Sequence, residues 1–107
     1  MDTMLIRIKK IIQEVLRSEM LSMSRLVLFG SRAKHSFNPE SDYDFLLIIN
    51  ENLPIEKKKK VYGEILKKLA ADCIDGDIII ESLNEYNRHK KQRWNIVTIA
   101  EKEGIPV

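Results

Sequence analysis

The run Tyr43-Asp44-Phe45-Leu46-Leu47-Ile48-Ile49 constrains the fold of this chain more than any other stretch. It is apolar at nearly every position, so a strand built from it turns apolar side chains to both faces of a sheet and has to be covered on both. A chain with such a strand needs a layer on either side, and its flanks supply amphipathic material for them. Residues 5–16 place Leu5, Ile8, Ile12, Val15 and Leu16 at spacings of three and four, with Arg7, Lys9, Lys10, Gln13 and Glu14 between them, which predicts a helix. Residues 55–71 place Tyr62, Ile65, Leu66 and Leu69 on one stripe with lysines opposite, a second helix despite Gly63.

Two shorter runs read as further strands. Residues 25–29 are too short for a helix and too dry for a loop, and they end at Gly30-Ser31. Residues 77–81 follow the turn signal Asp75-Gly76 and carry Ile78, Ile79 and Ile80, whose β-branched side chains favour a strand. Ser31, Arg32, Ala33 and Lys34 can make a helical turn or two before Asn38-Pro39 breaks the pattern. From Leu83 the chain is polar until Trp94, after which Ile96, Val97, Ile99 and Ala100 predict a final helix ending at Gly104 and Pro106. The order is helix, strand, short helix, strand, helix, strand, helix. It predicts an α/β or α+β fold with a small central sheet, while strand directions stay open.

The length of 107 residues suits one domain over 1–107. Eighteen Lys and Arg against sixteen Asp and Glu leave a net charge of +2, too even to select nucleic acid as a partner. No window is long and apolar enough to cross a bilayer, and the first residues lack a signal-peptide core, so a soluble cytoplasmic protein is the expectation. Cys73 is the single cysteine, excludes an internal disulfide, and reads as inert packing. It has no metal-ligand spacing to His35 or His89. The run Lys57 to Lys60 reads as a solvated helix face. Arg88, His89, Lys90, Lys91 and Arg93 with Trp94 could dock an acidic partner or RNA; a helix end with Trp94 in the core is the expected alternative.

The chemistry is concentrated in two features about ten residues apart: Gly30-Ser31 after the first strand, and Ser41-Asp42-Tyr43-Asp44 at the start of the second. In extended chain, residues i and i+2 share a side, so Asp42 and Asp44 project together while Tyr43 turns away. Two carboxylates in one small volume repel unless a cation lies between them, and a hard divalent ion such as Mg²⁺ meets that need. The backbone N–H groups after Gly30-Ser31 suit a phosphate, and glycine permits its close approach. Ser31 fits equally as a helix cap. Asp77 opens the third strand and is a candidate third carboxylate, which would complete ligation for two ions about 3.5–4 Å apart. Arg32 could reach a phosphate or pair with a carboxylate.

Leu28-Phe29-Gly30-Ser31-Arg32-Ala33 followed by Ser41-Asp42-Tyr43-Asp44-Phe45-Leu46 resembles the signature of the polymerase β nucleotidyltransferase superfamily, whose smallest members are the minimal nucleotidyltransferases. The resemblance implies a small mixed sheet backed by helices, with Asp42, Asp44 and Asp77 as catalytic metal ligands, two Mg²⁺ ions, and Gly30, Ser31 and Arg32 at the triphosphate of ATP. Lys34-His35 departs from the pattern, since relatives often carry a glycine there. Minimal nucleotidyltransferases are commonly paired with a HEPN-type ribonuclease toxin. The resemblance therefore implies an antitoxin that transfers AMP to a tyrosine of its toxin, in a hetero-oligomer or as a homodimer. Non-catalytic covering of the toxin, and transfer to a small molecule or an RNA end, are the rival expectations.

Overall fold

In the computed structural model, which describes residues 3–34, 41–91 and 95–107, the apolar run at 43–49 becomes an inner strand of a four-stranded sheet. This strand, β2 (Tyr43–Ile49), is flanked by β1 (Met23–Phe29) and β3 (Gly76–Ser82). The pairing of β1 with β2 is antiparallel, and that of β2 with β3 is parallel. A parallel neighbour requires a crossover, and α2 (Ile55–Ala71) supplies it. The sheet is completed beside β1 by β4 (Ile105–Pro106), giving the order β3-β2-β1-β4. The expected small mixed sheet flanked by helices is thus the observed architecture, a four-stranded α+β fold consistent with nucleotidyltransferases.

Strand alternation sorts the side chains into two layers. On one face Leu26, Leu28, Tyr43, Phe45, Leu47, Ile49, Ile78 and Ile80 pack against Ile8, Ile12, Val15 and Leu16 of α1 (Thr3–Ser18) and Val61, Ile65 and Leu69 of α2. On the other face Val27, Leu46 and Ile48 meet Tyr86 of α3 (Leu83–His89) with Val97 and Ala100 of α4 (Ile96–Glu103). Polar ties fasten this second layer as well. Arg25 of β1 pairs with Glu101 of α4, and the buried Glu81 of β3 lies 2.8 Å from His89 Nδ1.

The carboxy-terminal third differs from the sequence expectation. Where a polar connection was expected, α3 starts directly after β3, because Ser82 and Glu85 form a capping box. The Ser82 hydroxyl accepts from the Glu85 N–H at 3.1 Å, and the Glu85 carboxylate accepts from the Ser82 N–H at 3.0 Å. This helix buries only Tyr86, so it leaves no apolar period to read. The strand β4 was also unforeseen. It pairs with Val27 and Leu28 at the sheet edge, where Pro106 is tolerated. Gly104 makes that return possible, since a side chain there would strike Val27 and the Ala100 carbonyl.

Three expectations about side chains need correction. Cys73 is exposed, not packed, and takes the left-handed conformation (φ 58°) that ends α2, its N–H donating to the Ala70 carbonyl at 2.9 Å. Tyr62 is exposed rather than part of the buried stripe, which joins the expected Ile65 and Leu69 to Val61. Nor is the lysine run simply solvated: Lys57 donates to the Glu19 carbonyl, Lys58 pairs with Glu85 of α3 at 2.9 Å, and Lys60 pairs with Glu19 at 3.1 Å. The expectations for His35, Asn38-Pro39, Arg93 and Trp94 lie outside the described residues. Among the described residues no helix is long and apolar enough to cross a membrane.

Candidate active site

The sheet register aligns Phe29 with Asp44 and Asp44 with Asp77, one transverse row across three strands. Asp44 shares its side of β2 with Leu46 and Ile48, and Phe29 shares its side of β1 with Val27, so this row lies on the α3/α4 face. Asp77 shares the parity of Ile79, which packs against the same layer. Asp42, two residues before Asp44 and just ahead of β2, has the same parity and is exposed. Tyr43 turns to the opposite face, where it is buried and stacks with Phe45 at 6.0 Å between ring centroids. The layer covering this end is incomplete. It leaves a cavity of about 260 Å³ whose lining includes Phe29, Asp44, Asp77, Ile79 and Ile96.

Gly30 joins the acidic row from the end of β1. Its φ of 74° is a conformation that glycine adopts without strain, and it leads into a single 3-10 turn, Ser31–Ala33, the shorter of the one or two helical turns expected. A Cβ at Gly30 would stand 2.5 Å from Asp44 Oδ2. The bare backbone of Gly30 therefore lies directly against the Asp44 carboxylate. Ala33 and Lys34 donate to the carbonyls of Gly30 and Ser31 at 3.2 and 3.1 Å, and the opening N–H groups of such a turn have no acceptor within the helix.

The electrostatics agree with this crowding. The Asp44 carboxyl is held above its ordinary value of 3.8, first by burial, then by the charge of Asp77, then by that of Asp42. Both neighbours are thus close enough to oppose its ionisation. The Asp77 carboxylate is itself engaged: Oδ1 accepts from the Tyr62 phenol at 2.7 Å and from the Ile78 N–H at 2.9 Å. That bond, followed by burial and by the charge of Asp77, holds the Tyr62 phenol above its usual range. Tyr62 is the site residue that sequence reasoning missed, having placed it in the buried stripe of α2. Only the phasing of the helical stripe, 61/65/69 against 62/65/66/69, could have moved it to the surface.

Arg32 points elsewhere. Its Nε donates to the Ser41 carbonyl at 2.6 Å, Nη1 donates to the Tyr43 hydroxyl at 3.1 Å, and the guanidinium lies 4.1 Å from the centre of the Tyr43 ring. In this arrangement it braces the segment that presents Asp42, and it would have to leave these partners to reach a phosphate. A larger cavity, about 660 Å³, is lined by Asn52, Ser82, Asn84, Glu85 and Arg88 among others, beyond the far ends of β2 and β3. It contains none of the three aspartates.

The carboxylates of Asp42 and Asp44 offer hard oxygen donors of the kind that Mg²⁺ prefers, and their mutual repulsion is what a divalent ion relieves. The missing Cβ of Gly30 keeps the approach to Asp44 open. Among the described residues, no three acidic, histidine or cysteine side chains converge tightly enough to enclose one ion, in keeping with the hold of Tyr62 on Asp77. The donor chemistry of Asp42 and Asp44 suits a hard cation, and Asp77, whose Oδ1 is held by Tyr62 and the Ile78 N–H, brings a second carboxylate oxygen to the same strand end. No curated protein matches the chain. The model of the nucleotidyltransferase domain family, in contrast, matches residues 8–107, which takes in every element from within α1 to β4, and the chain therefore belongs to that family.

Proposed function

We propose that the chain is a Mg²⁺-dependent protein adenylyltransferase, an antitoxin that moves AMP from ATP to a tyrosine hydroxyl of a cognate HEPN-type ribonuclease toxin. The observation that carries this reading is the contact between Gly30 and Asp44 at one end of a row that ends in Asp77. A bare, positive-φ backbone against a carboxylate is a place where a polyphosphate and its cation can lie together. In this reading Asp42, Asp44 and Asp77 hold two Mg²⁺ ions, Gly30 and Ser31 receive the triphosphate, and Arg32 braces Ser41 and Tyr43 from behind. Bound Mg²⁺ would supply charge neutralisation at the leaving pyrophosphate and activation of the attacking hydroxyl. Asp77 orients that hydroxyl, and Phe29, Ile79 and Ile96 give the acceptor an apolar wall.

The acceptor's own protein completes the enclosure. Ile96 and Ile99 on α4 are 47% and 43% exposed, and Ile96 lines the cavity itself, an apolar margin that a partner polypeptide can cover. The same margin favours a second reading, in which binding alone silences the toxin. One experiment separates the two. The chain is incubated with labelled ATP, Mg²⁺ and the candidate toxin, and the native protein is compared with the double variant Asp42→Asn plus Asp44→Asn. Label on the toxin and loss of its ribonuclease activity with the native chain alone support catalysis. Full neutralisation by the double variant, without label, sinks the enzymatic account. Label on a small molecule or RNA end instead redirects the acceptor.

A further inference from the structure

Tyr62 belongs to the helical layer on one face of the sheet, yet its phenol rounds the edge strand β3 to reach an aspartate whose neighbours lie on the other face. The bond to Asp77 Oδ1 is 2.7 Å long, and Oδ1 is fixed from a second direction by the Ile78 N–H. β3 has no strand beyond it, so nothing in the sheet stands between α2 and Asp77. The resulting order is Tyr62, Asp77, Asp44, Gly30: a phenol at one end, two carboxylates, and bare backbone at the other. Under the function proposed above, the triphosphate lies at the Gly30 end and the acceptor hydroxyl donates to Asp77. Tyr62 is 37% exposed and already makes that donation.

We propose that Tyr62 is itself a nucleotidyl acceptor, and that the chain modifies this tyrosine in cis. The inference rests on the proposed nucleotidyl transfer and adds a substrate to it. In the step, Tyr62 Oη bonds to the α-phosphorus of ATP and the bond from that phosphorus to the bridging oxygen of the β-phosphate breaks. Pyrophosphate leaves with the electron pair, and the phenol proton passes along the existing hydrogen bond to the Asp77 carboxylate and on to water. The product is a phosphodiester between Tyr62 and AMP. The modified Tyr62 can no longer donate to Asp77, so self-modification and transfer to an external tyrosine compete for one position.

The test uses the full chain with ATP and Mg²⁺ and no other protein. Intact-mass analysis and peptide mapping should show one AMP on Tyr62, formed at a first-order rate independent of protein concentration, and Tyr62→Phe should lose the adduct. A second measurement involves no turnover. An ATP analogue with a methylene bridge between the α- and β-phosphorus, added with Mg²⁺, should slow acetylation of Tyr62 by N-acetylimidazole in the native chain. The proposal is overturned if the chain, given a tyrosine-containing peptide in a parallel mixture, labels the peptide while Tyr62 stays unmodified, or if the adduct maps to another residue. A rate that rises with protein concentration overturns modification in cis. If neither Tyr62 nor any external acceptor is labelled and the analogue gives no protection, the nucleotidyl-transfer reading falls with it.

Discussion

The two faces of the sheet are built from the same strands to different ends. Under α1 and α2 the inward positions Leu26 and Leu28 of β1, Tyr43, Phe45, Leu47 and Ile49 of β2, and Ile78 and Ile80 of β3 are apolar and buried. Under α3 and α4 the alternate positions read Arg25, Val27 and Phe29 on β1, Asp44, Leu46 and Ile48 on β2, and Asp77, Ile79 and Glu81 on β3. Two short helices cover the middle of this face and leave one end open. One face holds the fold together, and the other gives up part of its cover so that charge can gather at a strand end. The residues at the open end should therefore tolerate substitution as far as folding is concerned, and fail to as far as chemistry is concerned.

Asp44→Asn tests this division most severely. Removing a ligand charge from an electrostatically driven transfer should lower its rate by about 10³-fold, equivalent to about 4 kcal/mol in the transition state. Stability should be unchanged or slightly higher, as read by a thermal melt beside a labelled-ATP assay. A variant that melts early would show that Asp44 also supports the fold, and the contrast between the faces would break. The mirror-image experiment is Leu47→Ala on the closed face, where the side chain is fully buried. It should cost about 2–5 kcal/mol in chemical denaturation. Ile96→Ser at the open end, with that side chain 47% exposed, should stay within about 0.5 kcal/mol while weakening transfer to a protein acceptor.

Gly30→Ala falls between these. The alanine must adopt a positive-φ extended conformation that is essentially reserved for glycine, at a cost of about 1–3 kcal/mol, and its Cβ would press on Asp44 Oδ2 from 2.5 Å. The carboxylate would have to turn away, so activity should drop by about 10–100-fold, more than the loss of stability alone predicts. Denaturation midpoints and initial transfer rates measured on the same preparation separate the two effects. Activity that follows stability in proportion would mean that Gly30 serves only the turn.

The closed face was legible because its determinants are local and periodic: the stripe of α1, the run in β2 and the isoleucines of β3 all announce themselves within a few residues. The acidic end was legible in part, since Asp42 and Asp44 differ by two on one strand and Gly30 ends another. The position of Asp77 beside Asp44 depends on a parallel register between strands separated by α2, which no local pattern encodes. Tyr62 was hidden because the buried stripe of α2 is flanked on one side by the apolar pair Tyr62 and Leu66, which blurs its edge. The capping box at Ser82 and Glu85 was present in the sequence, but a seven-residue helix with one buried side chain offers no period to confirm it. The edge strand at Ile105–Pro106 is two residues long and exists only because Gly104 lets the chain return against Val27.

The smallest effect concerns the charge of Asp44 when no ion is bound. Its carboxyl sits above 3.8 in the folded chain because of burial and the charges of Asp77 and Asp42, whereas in the unfolded chain those influences are gone. Between the ordinary and the raised value the folded chain binds more protons than the unfolded one, so this group makes stability fall as pH rises through that window. Below 3.8 the penalty is absent, and above the raised value it is fully present. Asp44→Asn removes it, so the variant should melt slightly higher than the native chain near neutral pH, and the gap should close as pH falls below the window. Solvent screening at this partly open end keeps the gap small. Mg²⁺ offers an independent handle, because an ion held by Asp42 and Asp44 cancels the same repulsion. It should raise the native melting temperature and leave Asp44→Asn nearly unmoved, and equal shifts in both proteins would place the ion elsewhere.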